Sequence, residues 1–292
     1  MADSHKILVS GATGNVGTAL LSYLDTTEND VRVLTHDESK AQSLRDQGLE
    51  VVVGDLSQQD TLGPAVVGVD TVFLLTPPVP EQVSIASNAI KAAKTVGSNP
   101  RMVRLSVMKA SHDAPTRISR QHAVIEDEIK SSGLPYTLLR PHYYMQNTLM
   151  AAHHVASEGR VYQPFKDGKL GMIDVREIGE VAAKVLTEEG HEGKTYTLTG
   201  PASISFYDVA EALSEILDKE VEYVDISLED AKESLLIMGF SEWMVEALNE
   251  YAKAYGEGYG HFTTDDVEQL TGHPATSYKE FASDFAQMFR EE

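Results

Sequence analysis

The chain contains no cysteine. That removes disulfide bridges as a source of stability and thiolates as nucleophiles. No grouping of histidines and carboxylates has metal-like spacing, so no metal is expected. Long apolar runs are also missing; none approaches the ~20 residues of a membrane-spanning helix. The opening Met1-Ala2-Asp3-Ser4-His5-Lys6 leads straight into a strand-like run and leaves no room for a signal peptide. These absences lead us to expect a soluble, cytoplasmic protein with no membrane partner. Positive charge is the third shortage. Lysine and arginine number 24 against 45 acidic residues, a net charge of −21. The deficit is concentrated from Phe206 onward, where 21 acidic residues face 5 basic ones. Such a surface repels phosphate backbones, so nucleic acid is not an expected partner.

What the chain does have begins at its first apolar run. Lys6-Ile7-Leu8-Val9-Ser10 enters Gly11-Ala12-Thr13-Gly14-Asn15-Val16-Gly17, and an apolar helical pattern follows. A glycine-rich strand-to-helix turn lets a pyrophosphate approach the backbone, where the helix N-terminus offers unpaired N–H groups. A second strand at Val31–Leu34 follows at the interval a dinucleotide fold requires. Gly11, Thr13, Gly14, Asn15 and Val16 are therefore candidate cofactor-binding residues.

Strand-like runs at 7–10, 31–34, 50–53, 71–75, 102–106 and 136–139 alternate with helical patterns at 16–24, 39–47, 58–66, 80–96 and 119–132. That alternation predicts an α/β fold: a Rossmann-type, doubly wound parallel sheet with right-handed crossovers. After Pro141 the rhythm changes. Helical patterns at 145–157, 177–187 and 206–217 surround strands at 194–198 and 221–224. We expect a nucleotide-binding domain over 1–155, rejoined by 176–198, and a smaller acidic α/β lobe over 199–292 with 156–175.

Ligands in such sheets bind beyond the carboxyl ends of the strands. The second strand ends at His36-Asp37-Glu38-Ser39-Lys40. His36 and Lys40 can hold a 2′-phosphate, whereas Asp37 and Glu38 oppose one or cap the next helix. The balance favours NADP(H) over NAD(H). Asp55 and Leu56, after the third strand, suit the adenine amino group and ring; Asp55 as a helix cap is the competing reading. Leu75, Thr76 and Pro77 end the fourth strand where the ribose–nicotinamide half would lie. Pro141, Tyr143 and Tyr144 end the sixth and form a rigid aromatic wall suited to nicotinamide, to a flat acceptor or to packing between lobes.

Acid–base chemistry is less plain. The usual tyrosine with lysine four residues on occurs only at Tyr162 and Lys166, and the intervening Pro164 breaks a helix. Where such a pair belongs, the fifth helix carries His122 and Glu126 on one face. His122 can donate a proton near neutral pH, and Glu126 can orient it or raise its pKa. Ser106 adds a hydroxyl at the end of the fifth strand. His122, Glu126, Ser106 and Tyr143 are the catalytic candidates.

The glycine turn, Gly54-Asp55-Leu56, Ser132-Gly133-Leu134-Pro135-Tyr136-Thr137-Leu138-Leu139-Arg140-Pro141 and Gly190-His191-Glu192-Gly193-Lys194-Thr195-Tyr196 resemble the NmrA-like atypical short-chain dehydrogenases. Within that family the chain is most similar to type 2 NAD(P)H:quinone oxidoreductases and triphenylmethane reductases. The likeness spans nearly the whole chain, including Thr271-Gly272-His273-Pro274-Ala275-Thr276. It implies a Rossmann domain, a small C-terminal lobe, substrate held between them, and NADP(H) more often than NAD(H). The family's second strand usually ends in an arginine that grips the 2′-phosphate; here His36 stands there, and Lys40 matches a lysine often found beside it. His122 falls where relatives carry histidine or a catalytic lysine. Members without the tyrosine–lysine pair include both reductases and redox-sensing regulators. The first expectation is thus an NAD(P)H-dependent oxidoreductase that passes hydride to quinones or similar conjugated acceptors. The alternative is a regulatory protein that binds NAD(P) without turnover. A small-molecule acceptor is the expected partner, with a homodimer possible.

Overall fold

The computed structural model describes residues 5–290. In chain order its elements are β1 (His5–Ser10), α1 (Asn15–Tyr23), β2 (Asn29–Thr35), α2 (Glu38–Asp46), β3 (Glu50–Val53), α3 (Gly63–Val66), β4 (Thr71–Leu74), α4 (Gln82–Thr95), β5 (Arg101–Leu105), α5 (Arg117–Ser132) and β6 (Tyr136–Pro141). There follow α6 (Ala152–Glu158), β7 (Arg160–Gln163), α7 (Val175–Thr187), β8 (Lys194–Leu198), α8 (Phe206–Leu217), β9 (Glu222–Asp225), α9 (Leu228–Ile237), α10 (Glu242–Gly256), α11 (Asp266–Thr271) and α12 (Tyr278–Asp284).

Seven strands form one sheet in the order β3-β2-β1-β4-β5-β6-β8. Its pairs from β3 to β6 are parallel. The order reverses between β1 and β4, which places the topological switch point, and so the ligand crevice, at their carboxyl ends. The centre of β1, Ile7-Leu8-Val9, is apolar because both faces are covered; these three and Ser10 are all buried. On one face Leu8, Leu34, Val72, Leu74 and Met102 join α4 and α5 residues in a continuous core. On the other, α7 crosses α1 so closely that a Cβ on Gly179 would stand 2.6 Å from the Ala19 backbone.

Two compact units divide the chain. The first comprises Met1–Asp113, Ser119–Arg140 and Ile178–Tyr196; the second comprises Ala114–Ile118, Pro141–Glu177 and Thr197–Glu292. The break falls at Pro141, where the strand–helix rhythm stops, rather than near residue 155. Two helical patterns are interrupted. The one expected over 58–66 is a 3₁₀ turn at Gln59–Thr61 followed by α3, because Gly63-Pro64 starts a new helix and Pro64 has no N–H to continue the old one. The one expected over 145–157 is a 3₁₀ stretch at Met145–Ala151 leading into α6. β7, a four-residue strand, was not foreseen; it pairs in parallel with β9 in a separate two-stranded sheet. Tyr162 lies on β7 and Lys166 in the turn after it, so the lone tyrosine–lysine spacing is not on a helix.

Candidate functional site

At the switch point the turn after β1 is made of bare backbone. Gly11 has φ +71°, and a Cβ there would come within 2.8 Å of Leu75 Cδ2 at the end of β4. A Cβ on Gly17 would stand 2.1 Å from the Gly11 carbonyl oxygen. Glycine at both positions is what lets the turn close and α1 start directly beneath it. Ser10 locks the same place: its hydroxyl donates to Leu75 O at 3.0 Å and accepts from Leu75 N at 2.8 Å. Thr13, Gly14 and Asn15 are exposed, whereas Ala12 and Val16 are buried. The first N–H groups of α1 therefore face solvent beside a surface with little side-chain cover, which is the arrangement an anion needs.

A cleft of about 610 Å³ runs past Ala12, Thr13, Thr18, Ser39, Lys40 and Ser43. His36, just beyond β2, is exposed. Asp37 is the N-cap of α2, accepting from Ser39 N at 2.9 Å and Ser39 Oγ at 2.5 Å. The Ser39 hydroxyl holds the Asp37 carboxyl below the usual carboxylate value. Its charge is thus directed toward α2, while Lys40 lines the cleft. Asp55 accepts from Ser57 N at 2.8 Å, and that N–H chiefly lowers its pKa, with smaller help from His36. Leu56 packs partly against the sheet core, and Asn88 Nδ2 donates to its carbonyl at 3.0 Å. These residues suit a dinucleotide: an open helix start, glycines that side chains would fill, and a hydroxyl-lined cleft with one lysine.

Past β4 the edge is built of buried polar side chains. Arg104, on β5, has no solvent exposure. It donates to Leu74 O at 3.0 Å and Thr76 Oγ1 at 2.8 Å, and lies 3.4 Å from His122 Nδ1. Glu126 lies one turn beyond His122 on α5, but its carboxylate is engaged elsewhere. It accepts from Ser106 Oγ at 2.6 Å and from Arg140 at 2.8 and 2.5 Å. Sequence spacing made Glu126 the partner of His122; the fold gives His122 an arginine instead. Burial, followed by the charges of Arg104 and Arg140, pushes the His122 pKa well below the ordinary histidine value. The expected elevation by a carboxylate is therefore reversed.

The tautomer follows from the same contacts. Guanidinium only donates, so Nδ1 is the acceptor and Nε2 carries the proton. Nε2 lies 3.4 Å from the Gln82 amide nitrogen, while Gln82 Oε1 is buried without a partner. Exchanging the amide atoms satisfies both groups. His122 is thus a neutral imidazole held between Arg104 and Gln82. Sequence reasoning missed both neighbours. A charged residue inside the apolar run Met102–Leu105 was the available signal for Arg104; Gln82 carried none.

Pro141, Tyr143 and Tyr144 belong to the second unit. The Tyr143 ring meets Phe165, Phe206 and Tyr255 edge-on, with centroids 5.9, 6.2 and 6.1 Å away. Burial raises its phenol well above the ordinary tyrosine value, so it stays protonated. Tyr144 bridges to Ile173. His142 Nδ1 accepts from Tyr143 N at 2.7 Å and Nε2 donates to Gly260 O at 2.9 Å, which pins this strand end.

The sequence model of the NmrA-like family matches residues 3–285. The chain belongs to the NmrA-like family. It is 37% identical to the NAD(P)H azoreductase of Xenophilus azovorans, over 97% of this chain and 99% of that protein. Among solved structures it resembles the NADPH-dependent quinone oxidoreductase QOR2 of Escherichia coli complexed with NADPH, with a TM-score of 0.87 and 28% identity over 96% of this chain and 99% of that one. The Citrobacter sp. triphenylmethane reductase complexed with NADP(H) matches with a TM-score of 0.85 and 28% identity, over the same 96% and 99%. Solved structures of these two reductases thus align with this chain nearly end to end. Among the described residues, no group of three or more histidines and carboxylates could hold a metal ion, and no helix is long and apolar enough to cross a membrane.

Proposed function

We propose that this protein is an NAD(P)H-dependent oxidoreductase that reduces quinones or related conjugated acceptors, azo compounds among them. The observation that carries the reading is the bare-backbone turn at Gly11–Gly17 opening on the cleft at Lys40, in a chain whose near full-length relatives are named as reductases. The α1 N-terminus and the Thr13–Val16 backbone hold the pyrophosphate. Asp55 and Leu56 take the adenine, and Leu75, Thr76 and Pro77 flank the other half of the cofactor. His36, Ser39 and Lys40 take a 2′-phosphate, which favours NADP(H) over NAD(H). When bound, the cofactor supplies a hydride. The chain's own residues exclude water and set charge at the ends of β4, β5 and β6, where buried Arg104, His122, Glu126 and Ser106 meet half-buried Arg140.

Oxidation of NADPH and NADH at 340 nm against a panel of quinones and azo compounds, with cofactor affinity on the same sample, tests the reading. Acceptor-dependent oxidation, faster with NADPH, is expected. Tight cofactor binding with no oxidation by any acceptor would replace it with the regulatory alternative.

A further inference from the structure

Hydride addition to a conjugated carbonyl leaves negative charge on oxygen, and a positioned cation or proton donor lowers that barrier. His122 is ill-suited to the task. One ring nitrogen faces a guanidinium, the other faces an amide, and the ring is buried. Three residues after Ser106, beyond the end of β5, stands Lys109.

Three observations single it out. Lys109 has φ +50°, a left-handed conformation that glycine and asparagine adopt at little cost and lysine rarely does. It occupies the third position of a turn closed by Ala110 N to Val107 O at 3.3 Å, where glycine would relieve the strain. Next, the turn is clamped at both ends by one ion pair, its carboxylate buried and its arginine half-buried. Ser106 Oγ donates to Glu126 Oε1 at 2.6 Å, and Arg140, itself bonded to Glu126, donates to Ala110 O at 3.3 Å. Strain of this kind persists where the surroundings over-determine it, and it concentrates at functional sites. Finally, the Lys109 side chain is exposed, yet partial burial lowers its ammonium pKa from the ordinary lysine value. Lysines so placed give up a proton more readily.

Building on the reductase reading above, we propose that Lys109 is a catalytic residue, its ammonium placed to neutralise the oxygen that becomes negative when a quinone accepts hydride. The Glu126–Arg140 pair and Ser106 are then positioning residues that hold its turn. The balance is simple. The hydride brings two electrons to the quinone, the displaced carbonyl electron pair moves to oxygen, and Lys109 Nζ gives that oxygen a proton. The lysine regains a proton from water; the ring carbon that took the hydride loses its proton to water as the second oxygen gains one, so the product leaves as hydroquinone and the reduced nicotinamide is oxidised.

The test uses two acceptors of opposite demand. A neutral benzoquinone develops an oxyanion. A cationic triarylmethane dye takes hydride on carbon, becomes neutral and develops none. Lys109→Met is expected to lower kcat/KM for the quinone about a hundredfold and for the dye by less than about threefold, with the NADPH Kd within about threefold of wild type. Lys109→Gly is expected to show the same quinone loss with an equal or higher Tm, because glycine suits φ +50°. Lys109→Arg is expected to recover part of the rate. Quinone turnover within threefold of wild type in Lys109→Gly would overturn the proposal, as would equal losses on both acceptors. A wild-type protein that binds NADPH but reduces neither acceptor overturns the reductase reading itself, and the role of Lys109 with it.

Discussion

At the carboxyl end of β1, Thr13, Gly14 and Asn15 lie exposed where α1 begins. Two strands along the same sheet, at the end of β5, Arg104 is fully buried and Ser106 is almost so. There Glu126, His122 and Arg140 complete a cluster made of side-chain charge. On the proposed reading, the first region recognises a ligand through helix-terminal N–H groups that need no particular side chain, only glycines that keep out of the way. The second depends on several polar groups meeting in low dielectric, where burial and the charges of Arg104 and Arg140 keep His122 neutral. The contrast teaches that one sheet can bind with its main chain at one end and tune chemistry with its side chains at the other.

The largest expected break of this contrast comes from the charged region. Arg140→Met leaves Glu126 buried beside Ser106 with its main ion pair removed. It is expected to cost about 3 kcal/mol in urea unfolding, and Arg140→Met combined with Glu126→Leu should recover much of that loss. Equal stabilities of wild type and the single variant would show that the pair is not load-sharing in the fold. Gly17→Ala is the matching break in the backbone region. Its methyl would collide with the Gly11 carbonyl, so NADPH affinity measured by titration calorimetry should fall at least about tenfold. Unchanged affinity would mean that the turn is not where the cofactor binds.

The third prediction concerns pH. The folded pKa of His122 is depressed, whereas the unfolded chain takes up a proton near the ordinary value of about 6.5. Below that pH the unfolded state binds more protons, so stability falls as pH drops, by about 1 kcal/mol per pH unit from this group until the folded pKa is reached. His122→Gln should flatten the wild-type loss between about pH 6.5 and 5. The same slope in both proteins would place the titration elsewhere. The smallest effect is expected at the cleft. Lys40→Ala should weaken NADPH binding about three- to fivefold and leave NADH binding alone, because one exposed lysine contributes well under 1.4 kcal/mol. An equal loss for both cofactors would remove Lys40 from 2′-phosphate recognition.

Much of the fold was legible because its signals are local. Apolar runs of the right length gave the sheet through β6, and Lys194–Leu198 gave the return of β8. Gly11 and Gly17 were legible as a tight strand-to-helix turn because their meaning is steric and sits within one βα unit. The short β7 was not, since four residues carry no period and its partner β9 lies about sixty residues away. The charged cluster was half legible. His122, Glu126 and Ser106 could be named from position, but i,i+4 spacing says only that two side chains share a helix face. It does not say that Arg140, fourteen residues on, will reach Glu126 first. The turn at Lys109 was invisible, because left-handed backbone at a lysine has no sequence signature.

The most direct test of the division of labour is a single comparison on Glu126→Gln: its NADPH dissociation constant beside its quinone turnover. The account predicts turnover at least about tenfold below wild type, with the dissociation constant within about threefold. A dissociation constant that weakens in step with turnover would contradict it, because the charged cluster would then be part of cofactor binding rather than the machinery that follows it.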